Sequence, residues 1–143
     1  MTKTPLLLVD DEIEALYMQY YIEALENYGF EVTKCASVDE GRRLLDGPQH
    51  FTAIWIDVVM PPGEWFRDKE TKDGLLTGKF FAENVRLIRP GARLFFLTNA
   101  LDLSLLSALQ RLGSVYQKLD YPPDDLAAQV AELVKQGEHN ETQ

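Results

Sequence analysis

The chain is poor in cysteine and in positive charge, and it has no long apolar run. Its single cysteine, Cys35, excludes an intrachain disulfide and a thiolate zinc centre, and suits a reducing compartment. Lysine and arginine number 14 against 23 aspartates and glutamates, giving a formal net charge of −9. Binding to a phosphate backbone needs a basic patch that releases counterions, so no nucleic-acid partner is expected. No stretch approaches the roughly 20 apolar residues of a spanning helix, so no membrane partner is expected either. Met1 runs directly into polar Thr2–Thr4 without a signal-like segment, which predicts a cytoplasmic protein. No glycine-rich phosphate loop follows the first apolar run, which disfavours a nucleotide-binding site of that type.

What remains is a 143-residue chain, 45% hydrophobic, long enough for one domain with its own core. The reading places that domain over residues 1–136 and a disordered tail, "GEHNETQ", over 137–143. Short apolar runs lie at Pro5–Val9, Phe51–Ile56 and Ala92–Thr98, with weaker ones at Phe30–Cys35 and Ser114–Leu119. Runs without strict alternation are typical of strands buried on both faces. Between them lie helical stripes. The first takes in Ile13, Leu16, Tyr17, Tyr20, Ala24 and Tyr28 and stops at Gly29. Ser37 and Glu40 form a capping box for the second, which runs through Leu44 and Leu45. Phe81, Val85 and Ile88 mark the third, and Leu105, Leu109 and Leu112 the fourth. The fifth opens at "YPPDD" and carries Leu126, Val130, Leu133 and Val134. This βαβαβαβαβα order predicts an open, doubly wound, five-stranded parallel sheet of α/β class.

In such sheets ligands gather at the carboxyl ends of the strands. There the first run, "LLLVDDE", ends in Asp10 and Asp11, the third in Asp57, the fourth in Thr98 and the fifth at Lys118. A single aspartate after a strand is usually a turn or helix-capping residue. Three carboxylates at one edge repel each other, and a divalent cation or a lysine is the physical remedy. Mg²⁺ suits hard oxygen donors, and a carboxylate beside it is able to act as a nucleophile and form an aspartyl phosphate.

The chain resembles a receiver domain of two-component response regulators over Lys3–Gln136. The resemblance rests on "LLLVDDE", "IWIDVVMPP", "LFFLTNA" and "VYQKLD". It implies a flavodoxin-like (βα)5 fold in which Asp57 is the phosphoacceptor and Asp11 a direct Mg²⁺ ligand. Asp10 would be a ligand through water, and the Val59 carbonyl a further ligand. Thr98 would hydrogen-bond the phosphoryl group, and Lys118 would neutralise its charge. The implied partners are a sensor histidine kinase or phosphotransfer protein and a downstream protein target. A homodimer through the face from the fourth to the fifth helix is a further implication. The implied activity is the chain's own Mg²⁺-dependent phosphorylation and dephosphorylation, with no separate output enzyme.

The chain departs from the receiver pattern in four places. The loop Met60–Gly74 is long and carries Trp65 and Phe66, either as a lid or docking element or packed on the third or fourth helix. Lys118 is followed by Leu119 where proline is usual, and a non-proline cis bond costs about 3 kcal/mol. The switch-aromatic position is Val115, and the adjacent Tyr116 should point to the opposite face. Asn99 follows Thr98 where a small residue is common, narrowing access to Asp57 or adding a hydrogen bond. Val59 and Ala100 offer no polar group to position water, which predicts slow loss of phosphate. Leu103 and Leu101 either face outward on a surface for dimerisation or target binding, or belong to a helix buried more deeply. Two other readings compete. One is a receiver-like interaction module that works without phosphorylation. The other is a haloacid dehalogenase-like phosphatase, disfavoured because Glu12 stands where that family's second aspartate would and no cap domain is evident.

Overall fold

The computed structural model describes residues 2–141 apart from Leu101 and Leu119, with side chains described as far as Gly137. Strands β1 (Thr4–Val9), β2 (Phe30–Cys35), β3 (Ala53–Asp57), β4 (Arg93–Thr98) and β5 (Ser114–Gln117) alternate with five helices. These are α1 (Leu16–Asn27), α2 (Val38–Asp46), α3 (Thr77–Ile88), α4 (Leu103–Gln110) and α5 (Pro123–Glu141). All five strands are parallel and lie in one sheet in the order β2-β1-β3-β4-β5. The element order and the parallel sheet are those the apolar runs predict.

Alternate residues along each strand feed two cores, because a pleated strand sends successive side chains to opposite faces. Leu6, Leu8, Trp55, Phe95, Leu97 and Tyr116 pack with α1 and α5. Leu7, Val9, Ile54, Ile56, Leu94 and Phe96 pack beneath α2, α3 and α4. With both faces covered, continuous apolar runs are what the strands require.

One expectation is corrected. The buried face of α1 is Met18, Tyr21, Ile22, Ala24 and Leu25, whereas Leu16, Tyr20 and Tyr28 are exposed. The helix starts only at Leu16; Ile13 is buried in the preceding turn, so a stripe counted from it runs out of phase. At the other end, α5 runs to Glu141. No proline follows the start of α5, and nothing in "GEHNE" stops a helix already propagating. Of the two alternatives for Leu103 the exposed one holds, and Leu101 lies outside the described residues.

The strand order changes direction between β1 and β3, the place where an open α/β sheet parts its crossovers to leave a crevice. Val9 is paired with Ile56, so the residues one step beyond, Asp10 and Asp57, emerge side by side. Helix α3 is drawn tightly against this edge. The Gly78 N–H donates to the Val58 carbonyl at 2.9 Å, and a Cβ on Gly78 would lie 2.6 Å from Val58 Cα. Glycine is required there by space.

Candidate functional site

The buried end of β1 begins the site. Asp10 has no exposed surface; one of its carboxylate oxygens, Oδ1, accepts the Glu12 N–H at 2.7 Å. Its other oxygen, Oδ2, is buried with no hydrogen-bond partner among the described residues. Asp57 is also buried, and Asp11 is exposed beside them. Each of the three offers a carboxylate oxygen within 4.8 Å of those of the other two. Oxygens around one Mg²⁺ lie about 3–4 Å apart in octahedral geometry, so a small closure would bring these three into one coordination sphere. An orphaned buried carboxylate oxygen within a cluster of hard donors fits a cation site.

Electrostatics agree with that fit. Burial, then the neighbouring Asp10 charge, pushes the Asp57 carboxyl up to about 8, with Lys118 opposing. Burial likewise raises Asp10, against the Glu12 N–H bond and Lys118. The unaided site therefore tends to keep a proton at neutral pH that a divalent cation would replace.

Lys118 approaches from the end of β5. Its N–H donates to the Thr98 carbonyl at 2.9 Å, and its Nζ lies 3.4 Å from Asp57 Oδ1. Burial works against the ammonium, but Asp57 and Asp10 outweigh it and hold its pKa above the usual value. The expectation about the bond to Leu119 falls outside the described residues. Thr98 is buried at the end of β4, one step past the Leu97 that pairs with Asp57. Its Oγ1 accepts the Ala100 N–H at 2.9 Å, which leaves the hydroxyl proton to be donated elsewhere. The Gln117 amide donates to the Ala100 carbonyl at 3.3 Å, tying the loop after Thr98 to β5. Asn99 is exposed, and Val59 is partly so beside Asp57.

Tyr116 faces the α1–α5 core, edge-on to Tyr121, whereas Val115 packs on the other face of the sheet. That is the orientation the strand period predicts. Phe66 is fully buried and Trp65 half so. Trp65 stacks on Phe66 at 4.7 Å and meets Phe81 edge-on at 5.6 Å, and Phe66 reaches Phe80. The pair therefore packs on α3, and the Arg42 guanidinium over Trp65 adds α2 in place of the fourth helix.

Sequence reasoning missed three contributors. The Asp39 carboxylate accepts the N–H groups of Glu64 and Trp65 at 2.8 and 2.9 Å and so holds the loop to α2. Gly78 lets α3 reach the strand end. Tyr17 packs against the core as its stripe predicts, and its ring and hydroxyl also lie against Lys118. Only the glycine preceding the third stripe gave any signal in sequence.

No family model matches the chain, and no curated protein matches it. Solved structures do. A response regulator receiver domain protein (CheY-like) from Methanospirillum hungatei superposes with a TM-score of 0.77 at 20% identity, covering 97% of this chain and 99% of that one. A response regulator receiver domain protein from Clostridium thermocellum gives 0.70 at 20% identity, with 97% of each chain covered. A response regulator from Burkholderia pseudomallei, whose structure holds a phosphorylated aspartic acid, a calcium ion and citrate, gives 0.63 at 21% identity, covering 99% of this chain and 76% of that one. The chain has the receiver fold over nearly its whole length.

Proposed function

We propose that this protein is a phospho-aspartate receiver that takes a phosphoryl group on Asp57 in a Mg²⁺-dependent reaction and thereby changes a protein-binding surface. The observation that carries the reading is the convergence of Asp10, Asp11 and Asp57, one Asp10 oxygen being buried and unpartnered, with Lys118 beside Asp57. A phosphorylated aspartate and a divalent cation in the Burkholderia structure of the same fold lend it support.

An Asp57 carboxylate oxygen would attack the phosphorus of a phosphohistidine or a small acyl phosphate. The new O–P bond forms as the donor's P–N or P–O bond breaks, and the leaving group departs with the electron pair. Asp10, Asp11, Asp57 and the Val59 carbonyl would hold Mg²⁺, which when bound offsets the negative charge of both carboxylates and phosphoryl oxygens. Lys118 would shift from Asp57 Oδ1 toward the phosphoryl oxygens, and the Thr98 hydroxyl would donate to one of them. Water later cleaves the acyl phosphate, slowly, because neither Val59 nor Ala100 positions a water molecule.

The switch follows from Thr98. Turning its hydroxyl to the phosphoryl group would loosen the hold on Ala100, and through Gln117 the change would pass to β5 and the α4 surface bearing Leu103. Tyr116, facing the other core, is not needed for this route. A partner reads the switch only if it binds the two states differently. The reading includes a cytoplasmic setting, a sensor histidine kinase or phosphotransfer protein upstream and a protein target downstream.

The test is intact mass after incubation with Mg²⁺ and a small phosphodonor. The reading requires gain of one phosphoryl group, lost in Asp57→Asn and without Mg²⁺. No gain, while a known receiver is modified in parallel, would leave a receiver-like interaction module.

A further inference from the structure

Lys118 lacks the following proline that usually shapes such a lysine, and a flexible four-carbon stem ending in a point charge needs a fixed neighbour to aim it. The neighbour is Tyr17, in the first turn of α1. Its hydroxyl lies 3.5 Å from Lys118 Nζ, and the ammonium sits 5.6 Å from the ring centroid. The hydroxyl has one proton, which it donates to Glu12 Oε2 at 3.1 Å, so a lone pair is left for Lys118. Glu12 in turn donates its N–H to Asp10 Oδ1, fixing this end of the chain of contacts to the acidic cluster. Lys118 is thus bracketed by Asp57 at 3.4 Å and Tyr17 at 3.5 Å, with only 13% of its side chain exposed. Neither contact is tight. The ammonium is therefore free to re-aim over a short distance while its direction stays set.

We propose that Tyr17 is the positioning residue for Lys118 and that Glu12 orients the Tyr17 hydroxyl, a task the residue after the lysine performs elsewhere. The inference rests on the phospho-receiver reading for its effect on rate, but not for its geometry. Tyr17→Phe keeps the ring and its packing and removes only the oxygen. Loss of one weak hydrogen bond to a charged group predicts a roughly 5-fold slower phosphorylation of Asp57 at saturating small phosphodonor. The half-saturating donor concentration should stay unchanged, since Tyr17 does not reach the donor. Glu12→Ala should share the direction of the effect, whereas Tyr20→Phe, on the exposed face of the same helix, should leave the rate unchanged.

A second readout needs neither metal nor phosphorylation. In protein with ¹⁵N-labelled lysine, the Lys118 ammonium should give a slowly exchanging signal, identified by its loss in Lys118→Ala. Tyr17→Phe should abolish that signal with the fold intact. A wild-type rate and an unchanged ammonium signal in Tyr17→Phe would overturn the proposal. If wild-type protein takes no phosphoryl group at all, the receiver reading fails, and the ammonium signal alone decides whether Tyr17 aims Lys118.

Discussion

Asp57 is the residue whose behaviour is least like that of an ordinary surface aspartate. Its carboxyl is raised from 3.8 to about 8 by burial and by Asp10, so ionising it costs the folded state more than the unfolded one. For a group raised in this way, stability is fully present below the unfolded value near 4 and is lost as pH rises through 8. Metal-free protein should therefore melt progressively lower between about pH 4 and 8. Added Mg²⁺ should raise the melting temperature more at pH 8 than at pH 5, because under the proposal it binds the ionised cluster. Asp57→Asn should flatten the pH dependence and, at neutral pH without Mg²⁺, stabilise by on the order of 2 kcal/mol. Calorimetric melts at several pH values check all three; a stability that rises steadily from pH 5 to 8 in the metal-free protein would contradict the assignment. Cys35 gives a simpler case. Burial pushes its thiol up to about 12, so a thiol reagent should label it only as fast as the fold opens. Labelling at the rate of a free thiol in native protein would refute that. At this scale the sequence was readable where charge density was local, as in "VDDE". It was not readable for Tyr17, whose contact with Lys118 joins residues 101 apart and depends on how α1 is rotated.

Elements show where periodicity suffices and where it does not. The strands were legible because burial on both faces leaves only apolar residues between their ends. Helix α1 was not, because two apolar stripes run along it and only docking decides which is buried. The long loop was legible in part: its aromatics were expected either as a lid or docking element or on the third or fourth helix, and they pack on α3, while the contact with α2 through Arg42 gave no signal. Its anchor is Asp39, and hydrogen bonds to a carboxylate contribute about 1.5–3 kcal/mol each at most, less where water competes. Asp39→Ala should thus cost about 1–2 kcal/mol and expose the loop to trypsin at Arg67 and Lys69. Limited proteolysis measures this; equal cleavage rates in mutant and wild type would show that the aromatic packing holds the loop without Asp39. Gly78→Ala addresses the seam between α3 and β3. The added methyl would press on Val58 Cα, so α3 must retreat, at a cost of about 1–3 kcal/mol. Because Val58 follows Asp57, weaker Mg²⁺ binding should accompany the lower melting temperature, and a loss of stability with unaltered Mg²⁺ affinity would argue against this coupling.

Across the molecule the two ends of the sheet divide the labour. The carboxyl ends of the strands carry the acidic cluster and the helix N-termini. The opposite end carries the helix C-termini, where arginines meet orphan carbonyls: Arg89 donates to Leu45 and Gly47, and Arg86 to the Arg111 carbonyl. Arg89→Ala should lower stability by about 1–3 kcal/mol and leave Mg²⁺ affinity unchanged, as a melt paired with a Mg²⁺ titration would show. This division was only half legible beforehand. Strand order and strand-end chemistry follow from the βα alternation, but the register that sets Asp10 beside Asp57 exists only once the sheet is paired.

The central claim is that this register makes Asp57 a phosphoacceptor. Peptide-resolved mass spectrometry after treatment with Mg²⁺ and a small phosphodonor tests it most directly. The account predicts one phosphoryl group, located on the peptide containing Asp57 and absent when Mg²⁺ is chelated. A phosphoryl group on any other peptide, or one that forms equally well without the metal, would contradict it.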